Sequence, residues 1–169
     1  MYRNVLLPLD GTEFSEHEVE HALHVVAPDG VLTMLHVLPT SPLVRFPSEA
    51  LTSSKVGEEL QQEHESRLKY LKILRRRILH RRRDLRVEIQ LSQGDLETTI
   101  VSVATDLQAD LVVLAQAHRS LFERILKNST TESLLQKLSV PALVVHGPPS
   151  TRIYQAWSGL AVLPRTAYT

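Results

Sequence analysis

The feature that most constrains the fold is an alternation along the chain between short apolar runs and longer segments with helical periodicity. The first apolar run, 5–9, is closed by Asp10-Gly11, and four more runs follow at intervals that helices can fill. Such alternation is typical of a parallel sheet whose strands are joined by helical crossovers. The predicted strands cover 5–9, 31–38, 85–91, 110–115 and 140–145.

Helices are predicted between these strands from apolar spacing and from signals at the helix ends. Ser15 and Glu18 have the spacing of a capping box, which predicts a helix from there to about residue 27. Asp29-Gly30 then marks a turn before the second strand. Apolar residues recur at helical spacing along 55–83, which predicts one long helix. The remaining helices are predicted over 95–107 and 121–138.

Five parallel strands with right-handed crossovers predict a doubly wound α/β fold, a three-layer α/β/α sandwich. In such folds a ligand lies beyond the carboxyl ends of the strands, where the strand order reverses. Asp10, His36-Val37 and Ala115-Gln116 stand at predicted strand ends. We therefore expect any small-molecule site among them.

Composition narrows the classes of function. The chain has 169 residues, the length of one domain, and it holds no cysteine, which excludes thiolate catalysis, disulfides and cysteine-ligated metals. Its 19 basic and 19 acidic residues balance, so overall charge does not favour nucleic acid or a membrane surface. No apolar run approaches the roughly 20 residues of a membrane span, and no signal-peptide pattern precedes the first strand. We expect a cytoplasmic protein.

Several segments, taken in order, resemble the universal stress protein family: 5–15, Leu35-His36-Val37, Gly94-Asp95, 109–114 and 140–145. The resemblance covers 1–146 and leaves 147–169 as a C-terminal tail. It implies the strand order 3-2-1-4-5 and a stress-induced cytoplasmic protein. It also implies a homodimer that pairs through the fifth strand, from Val140 to Val145. One branch of the family binds ATP and another does not.

The ATP-binding branch carries the motif Gly-x2-Gly-x9-Gly-Ser/Thr after the fourth strand, and this chain keeps the spacing without the glycines. Ala115, His118 and Asn128 occupy the glycine positions, and Ser129 keeps the hydroxyl. Glycine lets the backbone approach phosphate closely and adopt positive φ. A side chain in the left-handed conformation costs about 1–2 kcal/mol. The pattern therefore favours the branch that does not bind ATP, and we expect no cofactor.

The other half of a nucleotide site is present, so a nucleotide-binding alternative with ATP or AMP stays open. The resemblance implies that Asp10 faces ribose or a metal and that the backbone of Val37 meets adenine. Arg119, with His118, would hold phosphate by charge. The competing interpretation of Asp10 is a simple turn after a strand. The degenerate nucleotide site comprises Asp10, Val37, Ala115, His118, Arg119, Asn128 and Ser129.

Neither a metal site nor a catalytic constellation is predicted. His17, His21 and His24 share one face of the first helix, and two histidines at i, i+4 can chelate a metal. The apolar face that includes Val19 and Ala22 lies opposite, so we expect a solvated histidine stripe. Phosphate-loop, dinucleotide-binding and nucleophile-elbow motifs are absent from the sequence. A receiver domain requires a second acid beside the aspartate after the first strand, and none stands beside Asp10. We therefore do not expect an enzyme.

Two features remain outside this interpretation. The run from Arg75 to Arg83 holds six arginines in nine residues at the end of the long helix. Basic side chains at the end of a helix complement its dipole, as the acidic Glu58 and Glu59 do near its start. The run leaves open an adaptor that docks a protein or a nucleic acid, although without aromatic interleaving or a known motif we do not expect nucleic acid. The tail holds the only tryptophan, Trp157, and is predicted to pack on the protomer or its dimer partner.

Overall fold

The computed structural model describes residues 1–11, 13–38, 53–116 and 130–146. Among these residues, five parallel strands form one sheet with helices on both faces, in the order third, second, first, fourth, fifth. The predicted doubly wound α/β fold and its strand order are therefore confirmed. In chain order the elements are β1 (Tyr2–Pro8), α1 (Glu13–Val25), β2 (Val26–Leu38), α2 (Ser53–Arg81), β3 (Arg86–Gln93), α3 (Leu96–Asp106), β4 (Leu111–Gln116), α4 (Thr130–Lys137) and β5 (Ala142–His146).

The two faces of the sheet pack against different helices, because alternate residues of a strand point to opposite sides. Val5 and Leu7 of β1 belong to the core beneath α1 and α2, whereas Leu6 belongs to the core beneath α3 and α4. The predicted apolar stripe of α2 is confirmed, since Leu71, Leu74 and Ile78 are at most 1% exposed. This layering leaves the strand ends as the open edge of the sandwich.

The start of α1 differs from the prediction. The helix begins at Glu13, so Ser15 lies inside its first turn and does not cap it, and the predicted capping box is wrong. The helix is set by the face that packs on the sheet, where Val19 and Ala22 are fully buried and Leu23 is nearly so. Tertiary packing of an apolar face outweighs end signals, which are worth about 1 kcal/mol.

The predicted turn at Asp29-Gly30 lies within β2, which begins at Val26, five residues before its predicted start. Tyr2 pairs with Val26, but Asn4 pairs with Val31, so the register shifts between these pairs. Asp29 has a φ of 59°, and a Cβ on Gly30 would stand 2.8 Å from the Ala27 carbonyl oxygen. The turn residues therefore form an irregularity in the strand instead of its boundary.

The sequence predicts that acidic residues near the start of α2 and basic residues at its end both complement the helix dipole. Only the prediction for the basic end is confirmed. The helix begins at Ser53, and its first turn contains no acidic residue, so Glu58 and Glu59 lie too far along to serve the helix dipole. Its last turn holds His80 and Arg81, as predicted. The predictions for 121–129 and for the tail at 147–169 fall outside the described residues. No helix in the described ranges is long and apolar enough to span a membrane.

Candidate ligand site at the strand ends

The ends of β1 and β2 bring an acid and an imidazole together. Leu9 donates its N–H to the Leu35 carbonyl at 2.7 Å, which holds the two strand ends in register. The Nδ1–H of His36 donates to the Leu9 carbonyl at 2.6 Å, since a carbonyl oxygen only accepts. Asp10 follows directly and is 9% exposed, and His36 is 5% exposed. The structure therefore places Asp10 and His36 at the ends of adjacent strands, as the sequence predicted.

Burial controls the protonation of His36. Loss of solvent lowers the pKa of its imidazole below 6.5, with the nearby Arg67 guanidinium acting in the same direction. The hydrogen bond to the Leu9 carbonyl and the charges of Asp10 and Glu63 oppose this change but do not reverse it. His36 is therefore neutral near pH 7, with the proton on Nδ1.

An ion pair from α2 completes the site. Gly11 has a φ of 81°, and the Arg67 guanidinium lies where its Cβ would stand. The Nη2 atom of Arg67 is 3.9 Å from the Oε1 atom of Glu63, and the two side chains are 24% and 19% exposed. We call Asp10, His36, Glu63 and Arg67 the strand-end cluster.

Sequence reasoning missed the two members of this cluster from α2. Glu63 and Arg67 are absent from the site residues that the sequence predicts. The signal was nevertheless present, because Arg67 stands four residues before Leu71 and seven before Leu74, on the apolar stripe. An arginine on a buried stripe points to a specific partner.

The structure describes only part of the predicted nucleotide site. Val37 lies near the end of β2, half-buried and paired with Ser92 of β3. The backbone of Ala115 belongs to β4 and pairs with Val145 of β5. The other predicted site residues, His118, Arg119, Asn128 and Ser129, lie outside the described residues.

The two histidines of the predicted α1 stripe whose side chains the structure describes face solvent. His21 and His24 are exposed, while Val19 and Ala22 are fully buried on the opposite face. The Nδ1–H of His24 donates to the Glu20 carbonyl at 2.6 Å. The side chain of His17 is outside the described set. Within that set, no three His, Asp or Glu side chains are grouped to hold a metal ion.

The lowered pKa of His36 predicts a pH-dependent stability. Because the unfolded imidazole binds protons more readily than the folded one, the unfolding free energy falls as the pH drops through 6.5. The contribution is fully present above that pH. We expect urea unfolding at about pH 7.5 and about pH 5.5 to show a smaller decline for His36→Gln than for the natural chain. His24→Gln, a matched change on an exposed histidine, should leave the decline unaltered, and equal declines in all three would refute the assignment.

Gly11 is required for its backbone conformation. A side chain at a φ of 81° costs about 1–2 kcal/mol, so Gly11→Ala should lower the unfolding free energy by that amount. Gly94→Ala is the matched control, because Gly94 has no positive φ and its Cβ would meet only the Thr99 hydroxyl, at 2.7 Å. Denaturant titration of both variants should show the larger loss at Gly11. A larger loss at Gly94 would contradict this account.

The doubly wound parallel sheet with helices on both faces places the chain in the class of Rossmann-like α/β folds. The model of the universal stress protein family matches residues 1–146, and the chain belongs to that family. It is 30% identical over 148 residues to universal stress protein G of Escherichia coli O157:H7, an alignment covering 86% of this chain and 99% of the relative.

Solved structures share the fold. Universal stress protein UspA from Lactobacillus plantarum has a TM-score of 0.65 and 20% identity, covering 86% of this chain and 98% of that one. A universal stress protein in complex with cAMP has a TM-score of 0.58 and 17% identity, covering 87% and 98%. A family protein from Arabidopsis thaliana with AMP bound has a TM-score of 0.58 and 13% identity, covering 86% and 92%.

Proposed function

We propose that this chain is a stress-responsive, non-catalytic binding or regulatory protein of the universal stress type that does not bind ATP. The observation that carries the proposal is the absence of glycine at Ala115, His118 and Asn128, the positions that the ATP-binding branch fills with glycine. Each side chain adds atoms where the backbone would approach polyphosphate. Ala115 is also a strand residue, opposite Val145.

The strand-end cluster supports the same conclusion from the other half of the site. Asp10 is almost fully buried, and the Arg67 guanidinium lies against Gly11, the next residue along the chain. We infer that a ligand hydroxyl approaching Asp10 competes with the Arg67 guanidinium for the space beside Gly11. Arg67 therefore opposes ribose binding at Asp10, where the family resemblance implies a ribose contact.

The geometry around His36 supports a non-catalytic role. Nucleophilic catalysis needs a base that contacts a nucleophile and is oriented by a third group. Here Nδ1–H of His36 donates to a main-chain carbonyl, that of Leu9, and the imidazole is only 5% exposed. The other members of the strand-end cluster are two carboxylates and a guanidinium, so the cluster holds no hydroxyl or amine nucleophile for His36 to activate. We propose that the site binds and does not catalyse.

We further propose that the protein is cytoplasmic and homodimeric. β5 lies at one edge of the described sheet and pairs with β4. An edge strand presents main-chain donors and acceptors that a second copy can satisfy. Two-fold pairing of β5 with its symmetry mate closes that edge.

Nucleotide content of the purified protein tests the proposed function. The protein is purified without added nucleotide and denatured, and the released small molecules are separated by ion-pair chromatography. We expect far less than one adenine nucleotide per protomer. The matched control is Ala115→Gly/His118→Gly/Asn128→Gly, which restores the motif and should retain more. A full equivalent of ATP on the natural chain would overturn the proposal.

A second candidate is a nucleotide-binding protein with an altered phosphate loop. Asp10 and Val37 stand at the ends of adjacent strands, where the family resemblance implies ribose and adenine contacts. Two structures with the same fold hold cAMP and AMP. The same chromatography distinguishes this candidate, because it expects AMP or ATP to be released from the natural chain.

A further inference from the structure

The arginine run of α2 divides into anchored and exposed residues. Arg81 forms an ion pair with Glu20 of α1. Arg82 donates to the Leu23 carbonyl at 2.6 Å and pairs with Asp84 at 2.7 Å, and this pairing raises the pKa of Arg82. These two arginines hold the end of α2 against α1, which gives them a structural role. The remaining cations need a different explanation.

Four of the remaining basic residues lie on one side of α2, and a fifth follows in the turn after the helix. At 100° per residue the four within the helix fall in an arc of about 80°, on the side opposite the buried Leu71, Leu74 and Ile78. All five are exposed. The part of the stripe within the helix is about 16 Å long, at 1.5 Å per residue. We call this set the cationic stripe: Lys69, Lys72, Arg76 and His80 on α2, and Arg83 in the turn that follows.

Few acidic residues lie near the cationic stripe. The segment 66–83 contains no aspartate or glutamate; Glu65 precedes it, and Asp84, which follows it, pairs with Arg82. Among the described residues, no side chain of the stripe forms an ion pair with an acidic residue. The two lysines and two arginines of the stripe are exposed, and like charges at the spacing of successive helical turns are unfavourable for the isolated helix, by about 0.2–0.5 kcal/mol per pair. A polyanion would remove that repulsion.

We propose that the cationic stripe binds the phosphate backbone of double-helical nucleic acid without reading its sequence. The sequence argued against nucleic acid because aromatic residues and known motifs are missing, but those features serve base recognition. Single strands are held largely by stacking on aromatic side chains, and the two aromatic side chains that the structure describes, Tyr2 and Tyr70, are half-buried. A duplex hides its bases and presents phosphates, so a row of cations is sufficient for binding without base contacts.

A membrane surface is a less suitable partner for the stripe. Ile73, at 37% exposed, is the one large apolar side chain exposed on α2 among the described residues, which is too little apolar surface for membrane insertion.

Fluorescence anisotropy with a labelled duplex of about 20 base pairs tests the proposal, with the salt concentration as the variable. One phosphate contact from each lysine and arginine of the stripe, four in all, predicts a slope of about −3.6 in log K against log salt, or roughly a 100-fold loss of affinity between 50 and 200 mM. Arg76→Gln/Arg83→Gln should reduce the slope by about 2. The matched control is Arg3→Gln/Arg75→Gln, which removes two exposed arginines outside the stripe and should leave the slope unchanged.

Circular dichroism and melting temperature establish that each variant is folded, which the exposure of all four arginines leads us to expect. Scrambled duplexes should bind equally well, since no base is contacted. The proposal is overturned by no duplex binding at about 50 mM salt. It is also overturned by tighter binding to a matched single strand, or by equal slopes for the two double variants. None of these results bears on ATP, so the proposed function stands or falls separately.

Discussion

The triple variant Ala115→Gly/His118→Gly/Asn128→Gly should bind ATP with magnesium, whereas the natural chain should not. A side chain at positive φ costs about 1–2 kcal/mol, so glycine at two positions where the motif needs that conformation corresponds to roughly 30- to 1000-fold in affinity. Ser129 supplies the hydroxyl that the motif retains. Glycine within β4 costs about 0.5–1 kcal/mol of stability, so the variant should remain folded. Calorimetric titration with ATP measures the gain.

The variant Arg67→Ala tests whether the Asp10 half of the site limits ATP affinity in addition to the three glycine positions. Because the Arg67 guanidinium lies against Gly11, the residue after Asp10, its removal should raise the affinity of the triple-glycine variant by about another 10-fold, or 1.4 kcal/mol. Arg75→Ala is the matched control, since it removes an exposed arginine from the same helix. A fall in affinity on Arg67→Ala would instead make Arg67 a phosphate ligand and contradict this account.

The control for glycine itself is Ala115→Ser/His118→Ser/Asn128→Ser, which shortens His118 and Asn128 without freeing the backbone. It should bind no better than the natural chain, because serine shares the steric restriction at positive φ. Equal binding by the serine and glycine triples would show that side-chain size, and not backbone conformation, limits the site.

Val144→Pro should dissociate the proposed homodimer. Val112 donates its N–H to the Pro141 carbonyl at 3.0 Å, and Val112 stands opposite Ala142. Because main-chain groups of alternate residues in a strand point to opposite sides, the N–H of Val144 points to the open edge of β5. Proline removes that donor and leaves the pairing with β4 intact. In a two-fold dimer both copies lose it, which corresponds to about 2–3 kcal/mol, or roughly 30- to 150-fold in the dimer dissociation constant.

Sedimentation velocity across a concentration series measures the dimer dissociation constant. Val144→Ala is the matched control, because it trims the side chain and keeps the N–H. A melting temperature near that of the natural chain would show that Val144→Pro is folded. If Val144→Pro dimerises like Val144→Ala, the outer edge of β5 is not the interface.

The fold was predictable because its signals are repeated. Five apolar runs separated by helical periodicity permit few other arrangements, and the buried stripes of α1 and α2 agree with that pattern. Element ends were less predictable. A capping signal at Ser15 is worth about 1 kcal/mol and is outweighed by packing of the helix face. The turn at Asp29-Gly30 has the right chemistry, but whether it ends a strand or interrupts one depends on pairing with β1.

The candidate site was predictable where the main chain determines it. Asp10 and His36 follow from strand order, because the carboxyl ends of neighbouring parallel strands meet at one edge. Glu63 and Arg67 come from a helix separated from both strands in sequence, and their position depends on how α2 packs across the sheet. A single sequence shows which face of a helix is buried, but it does not show which strand end that face covers.

The central claim is that this universal stress protein does not bind ATP, and calorimetric titration of the nucleotide-free natural chain tests it most directly. ATP is added to about 1 mM with and without magnesium, a range that detects dissociation constants well above the micromolar level. We expect no heat beyond dilution in either case. Saturable binding of one ATP per protomer near micromolar affinity would contradict the claim. It would also show that the site functions with Ala115, His118 and Asn128 in place of glycine.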